Sequence, residues 1–145
     1  MKQYVIDQLR ETDYHQIREF LDKNAEATAL EGVYWVDLPP DLYSTIQREH
    51  TKCHPHYFAV NLTWNDVAFE LLIRSRQIIR CNCIAYATKQ QQDYIIRFAD
   101  RMLADLKIKL WDQALTGAVG ERVQDEVGKH QENHRLTYRH DARNG

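Results

Sequence analysis

At 145 residues, 43% of them hydrophobic and 28% charged, the chain has the size and composition of one soluble domain able to bury a core without disulfide or metal. A formal net charge of −2 excludes a global basic field for nucleic acid and a polybasic membrane patch. Three cysteines, two of them separated by a single residue, argue against a secreted disulfide framework and for a reducing, cytoplasmic setting.

Met1 to Arg10 show no basic segment leading into an apolar run, so no secretory leader is expected. No apolar stretch approaches the ~20 residues that span a bilayer. Residues 3–9 suit either a short strand or the first turns of a helix. From Thr12 the helical signal is clearer: Thr12 can cap, Asp13 suits the first turn, and Tyr14, Ile17, Phe20 and Leu21 share one face. The helix is expected to fade in the stretch 25–30. Gly32 then punctuates, and residues 33–38, β-branched and aromatic, predict a strand that Pro39-Pro40 ends. Leu42, Tyr43 and Ile46 predict a short amphipathic helix running to about His50.

The middle of the chain carries the strongest pattern. Residues 56–63, 66–75 and 78–87 predict three strands, with tight turns at Trp64-Asn65-Asp66 and at Arg76-Gln77. Alternation sorts their faces. One face is apolar and collects Phe58, Val60, Leu62, Val67, Phe69, Leu71, Ile73, Ile79, Cys81, Cys83 and Ala85. The other is mixed and includes Tyr57, Asn61, Glu70, Arg74, Arg80, Asn82 and Tyr86. Residues 89–111 predict a long helix whose stripe, Ile95, Phe98, Ala99, Met102, Leu103, Leu106 and Leu110, needs the apolar sheet face as its partner. Ile108 and Trp111 fall on its far side. After Gly117 the apolar residues thin, and Val119, Val123 and Val127 support one weak helix at most.

These signals predict a two-layer α+β fold. A mainly antiparallel sheet, the three-stranded meander 56–87 plus the strand 33–38, is covered on one face by helices. Residues 1–112 form a single domain, and 113–145 form a polar C-terminal tail expected to be flexible.

Two short runs, Cys53-His54-Pro55-His56 and Cys81-Asn82-Cys83, bracket the predicted hairpin and contain every cysteine; His50 lies just upstream. Zinc or iron would want four N or S ligands, and Cys53, His56, Cys81 and Cys83 are the candidate set. Against this, there is no Cys-x2-Cys pair. A Cys-x-Cys run on a strand also sends both sulfurs to the apolar face, where free cysteine packs as a small hydrophobe. No cofactor is therefore the leading expectation. Cys53 beside His50, His54 or His56 could form a thiolate–imidazole pair, but no glycine-rich nucleophile turn surrounds it. Phosphate-cradling glycine motifs are absent from the sequence.

The mixed face offers a binding surface of Tyr57, Arg74, Arg80, Asn82 and Tyr86. Single-stranded RNA is disfavoured there, since Glu70 sits among the arginines and no aromatic RNA-binding signature is present. A solvated face or self-association fits better. Three functions follow, in order. The first is a non-enzymatic cytoplasmic binding or adaptor domain that forms a homo-oligomer through the mixed face, with a further protein partner open. The second is a zinc or iron protein using the Cys/His set. The third is a small enzyme or ligand-binding protein with a pocket near His50–His56.

Overall fold

The computed structural model describes residues 1–109 and 136–139. Its sheet is antiparallel throughout, open, and carries three helices, as the α+β expectation requires. The ambiguous start of the chain is a strand, β1 (Gln3–Ile6), with Tyr4, Val5 and Ile6 buried. Helix α1 (Glu11–Asn24) begins two residues earlier than a Thr12 cap implies. Its N-cap is Arg10, whose backbone N–H is accepted by Asp13 Oδ2 at 3.0 Å, while the Arg10 guanidinium pairs with the same carboxylate. An acidic group at N3 thus satisfies an orphan donor of the first turn and meets the positive end of the helix dipole.

Strand β2 (Glu26–Ala27) turns back onto β3 (Val33–Asp37), and β3 pairs with β4 (His56–Leu62). Between β3 and β4 lie a short 3-10 turn at Pro40–Leu42, helix α2 (Thr45–Glu49) and a second 3-10 turn at Thr51–Cys53. The helix expected from Leu42 onward is therefore split. Ser44 caps α2 through a capping box with Gln47, which restarts the helix after the prolines.

The long predicted strand 66–75 is two strands, β5 (Val67–Glu70) and β6 (Leu72–Ser75). β4 pairs with both, Val60 opposite Phe69 but His56 opposite Ser75, so extra residues are accommodated around Leu71. The Leu71 N–H donates to the Lys2 carbonyl at 3.0 Å, and its carbonyl accepts from the Ala87 N–H at 2.7 Å. β5 thereby pairs with β1 and β6 with β7 (Ala85–Tyr86). The third strand of the meander is only this two-residue piece; residues 76–84 are loop. The expected alternation fails there: Ile79 is 90% exposed and Cys83 is fully buried. Residues 136–139, assigned by sequence to the polar tail, form β8 (Leu136–Arg139) antiparallel to β1. The rest of that tail, with Leu110, Trp111 and the 119–127 segment, lies outside the described residues.

Helix α3 (Lys89–Asp105) is capped by Thr88 and buries Ile95, Ala99, Met102 and Leu103 against the sheet. Phe98 joins the two layers, with ring centroids 5.9 Å from Phe58, 6.3 Å from Phe69 and 6.1 Å from Phe20 of α1. Phe58, Val60, Val67, Phe69, Leu71 and Ile73 supply the apolar sheet face, as the alternation requires. Ile108 is buried, not on a far helical face. The helix stops at Asp105, and Lys107 adopts a φ of 55° that turns the chain back onto the core. No helix among the described residues is long and apolar enough to cross a membrane.

Gly32 sits at φ 81°, and an added Cβ would lie 2.5 Å from the Leu62 carbonyl oxygen. Gly32→Ala is expected to lose about 1–3 kcal/mol from backbone strain and that clash, measured by urea unfolding. Phe58→Ala, which opens a cavity beneath α3, is expected to lose about 3–5 kcal/mol in the same assay.

Candidate metal centre

Two segments separated in sequence converge at one end of the sheet. His50 follows the C-terminus of α2, Cys53 closes the second 3-10 turn, and Cys81 and Cys83 lie in the loop between β6 and β7. His50 Nδ1 and the sulfurs of Cys53, Cys81 and Cys83 all lie within 4.8 Å of one another. His50 Nδ1 is 3.1 Å from Cys81 Sγ. Cys53 and Cys83 are buried, whereas His50 and Cys81 are half-buried. All three cysteines are free thiols.

Local chemistry explains why the segments meet. Ser75, the last residue of β6, donates its hydroxyl to the Cys53 carbonyl at 2.6 Å and accepts from the Gln77 and Ile78 N–H groups at 3.1 Å. The Arg76 N–H donates to the Pro55 carbonyl at 3.0 Å, next to a cis His54–Pro55 bond. These bonds hold the start of the loop against the Cys53 turn. The loop's far end is held by Gln47, whose buried Nε2 donates to the Cys83 carbonyl at 3.2 Å. Gln47 Oε1 in turn accepts from Gln91 Nε2 of α3 at 2.9 Å. Both ends of the Gln47 amide are thus hydrogen-bonded, as befits a buried amide.

The sulfurs do not titrate alike. Cys81 is pulled down to about 6 because the Cys83 backbone N–H and thiol, and then His50, hydrogen-bond to its sulfur. Burial pushes Cys83 up to about 12, reinforced by its hydrogen bond to Cys81. Without a cation, negative charge favours the half-exposed Cys81 sulfur over the buried Cys83.

Of the four metal candidates from sequence, Cys53, Cys81 and Cys83 come together. His56 starts β4, is fully buried, and lies beside the group, with Nε2 3.4 Å from Cys83 Sγ. Burial lowers its pKa, helped by the neighbouring His54 and His50. The imidazole within the four is His50. Its signal was in the sequence as a His-x2-Cys spacing across a helix end, close to the two-to-four-residue spacing of metal-ligand pairs. His54 is turned away, with Nε2 2.6 Å from the Gln47 carbonyl, and its ring packs edge-on against Tyr43.

Of the mixed-face residues, Tyr57 and Arg74 are opposite one another across the β4–β6 ladder, and Arg80, Asn82 and Tyr86 lie on the loop and β7 that follow. Tyr57 is buried and stacks on Trp35 with centroids 4.4 Å apart, beneath the Arg76 guanidinium. Arg76 pairs with Asp37 at 2.7 Å and also with Glu26. Arg74 pairs with Glu70 at 3.1 Å, and Asn61 donates to the same carboxylate. Arg80 and Asn82 sit in the cysteine loop and are exposed, while Tyr86 lies on β7 with Lys2 over its ring. Trp64, at its turn, is exposed.

Comparison with protein-family models, with curated proteins and with solved structures returned no match.

Cys81 is expected to be alkylated by iodoacetamide well before Cys53 and Cys83 in folded, chelator-treated protein. A pKa lowered to about 6 places the rise in its rate near pH 6, below the range of an ordinary thiol. Peptide mass spectrometry across pH 5 to 9 reads both the order and the midpoint; equal labelling of all three would contradict it.

Proposed function

We propose that the chain binds one zinc ion through His50, Cys53, Cys81 and Cys83, and that the ion is structural. The observation that carries this is the convergence of four ligand atoms, from two segments some thirty residues apart in sequence, within 4.8 Å of one another. A tetrahedral zinc site with Zn–S bonds near 2.3 Å places its sulfurs about 3.8 Å apart, so small side-chain adjustments close the shell. Three cysteines and one histidine match a structural zinc set. Four protein ligands leave no coordination position for water or substrate, which favours a structural ion over a catalytic one.

The ion has a task in this fold. Residues 76–84 form no ladder, and their apolar residues Ile78 and Ile79 are exposed, so little packing holds the loop. Zinc would fasten it to the Cys53 turn and to α2. The cation also resolves the electrostatics, because it stabilises all three sulfurs as thiolates at once. The protein is then a non-enzymatic domain whose zinc-braced loop displays Ile79, Arg80 and Asn82. Free thiols in this role suit a reducing compartment. The paired charges of Arg74 and Arg76 make the mixed sheet face a weaker basis for self-association.

Protein purified without chelator is expected to carry about one zinc per chain by mass spectrometry. Cys53→Ser and Cys83→Ser are expected to lose it, and His50→Ala to weaken it sharply. Chelator is expected to lower the melting temperature and expose the 76–84 loop to protease. Wild-type protein with no bound metal, and no uptake of added zinc or iron, would sink the proposal. One iron in place of zinc would keep the ligand set and change its role to electron transfer.

A further inference from the structure

We infer that His56 is a positioning residue for this metal: its Nε2–H donates a hydrogen bond to the Cys83 sulfur and holds it aimed at the ion. This rests on the metal-centre proposal above. His56 is fully buried, and its Nε2 lies 3.4 Å from Cys83 Sγ, an ordinary separation for an N–H donor on sulfur. Its Nδ1 is buried and has no hydrogen-bond partner among the described residues. A neutral imidazole carries one proton. Placed on Nδ1, that proton would be a buried donor with nothing to receive it, and Nε2 would face a metal-bound thiolate as acceptor to acceptor. Placed on Nε2, it points at sulfur. Nδ1 is unpartnered in either form, so it is the metal-bound thiolate, able only to accept, that selects the Nε2–H tautomer.

The ring is held where a positioning group must be. His56 opens β4 opposite Ser75, its N–H donates to the Tyr43 hydroxyl at 3.0 Å, and its carbonyl accepts from the Leu38 N–H at 2.9 Å. Its ring packs edge-on against Tyr43 at 4.9 Å and against His54 at 5.4 Å. A strand position with packed neighbours keeps the donor aimed better than a loop would. Three thiolates around a divalent cation leave one net negative charge. A donor on the most buried sulfur spreads that charge and fixes the sulfur's direction, the work that outer hydrogen bonds do at metal sites.

The test uses the full chain as wild type, His56→Leu and His56→Gln. Zinc affinity is measured by chelator competition, the coordination shell by absorption of the cobalt-loaded protein, and fold stability by urea unfolding of the metal-free chain. His56→Leu is expected to keep the absorption of a tetrahedral three-sulfur, one-imidazole shell, bind zinc about 10–100-fold more weakly, and lose no stability without metal. His56→Gln, which retains an N–H donor, is expected to recover most of the affinity. His56→Phe gives the same comparison should His56→Leu not fold.

Unchanged affinity in the donorless variants would overturn the inference. So would a weakening no larger than the stability lost by the metal-free chain. Loss of the imidazole ligand from the cobalt spectrum of His56→Leu would also overturn it, by making His56 a ligand. A wild-type chain that takes up neither metal overturns the centre itself and this inference with it.

Discussion

The backbone of Leu71 decides how the outer edge of the central hairpin is shared. Its N–H is taken by Lys2 and its carbonyl by Ala87. The β5–β6 segment therefore has two neighbours on one edge, β1 along Val67–Glu70 and β7 along Leu72–Ile73. Backbone polar groups buried beneath a helix must be paired, and here both partners come from distant parts of the chain. With Ala87 anchored to Leu71, residues 76–84 must leave the sheet after Ser75 and return to the same edge. That excursion carries Cys81 and Cys83 to the Cys53 turn.

The cysteine cluster hangs from the core through amides. Gln91, buried on α3, donates to the Leu42 carbonyl and to Gln47, and Gln47 donates to the Cys83 carbonyl. The stripe that seats α3 on Phe58 and Phe69 thus also sets the position of α2 and the loop. Packing energy from the apolar layer is carried into the site by directional bonds, each short of alternatives because the groups are buried. The sulfurs themselves are the least settled part of this frame, since three thiols and an imidazole crowd together, with Cys81 pulled down to about 6 and Cys83 pushed up to about 12. A cation is the natural counterpart of such an arrangement.

Much of the fold was legible because its signals are local. Alternation sorted Phe58, Val60, Leu62, Val67, Phe69, Leu71 and Ile73 onto the buried face. It survived the irregularity at Leu71 because the extra residues leave Phe69, Leu71 and Ile73 on one side. It failed over 78–87, where Ile79, Cys81 and Cys83 alternate in sequence without belonging to a strand. Alternation reports what a segment could bury as a strand, and among the described residues no ladder partner meets residues 76–84. The helix stripe around Ile95 and Ala99 was equally plain, yet Ile108 was placed on the wrong side because Lys107 leaves the helix in a left-handed conformation.

Composition and periodicity together established the α+β class, the long helix and its apolar partner, and the suspicion that the cysteine runs could meet. They did so because hydrophobic pattern and capping act over a few residues and are written in consecutive positions. Which imidazole joins the three sulfurs was settled by tertiary geometry. His50 emerges at the end of α2 facing Cys81, whereas His56, locked into the β4 ladder, reaches Cys83 from inside the core. The same holds for the mixed face, where Tyr57, Arg74 and Arg76 found partners in Trp35, Glu70 and Asp37. Ligand sets and ion pairs join residues tens of positions apart, so their membership depends on the orientation of whole elements, which no local pattern encodes.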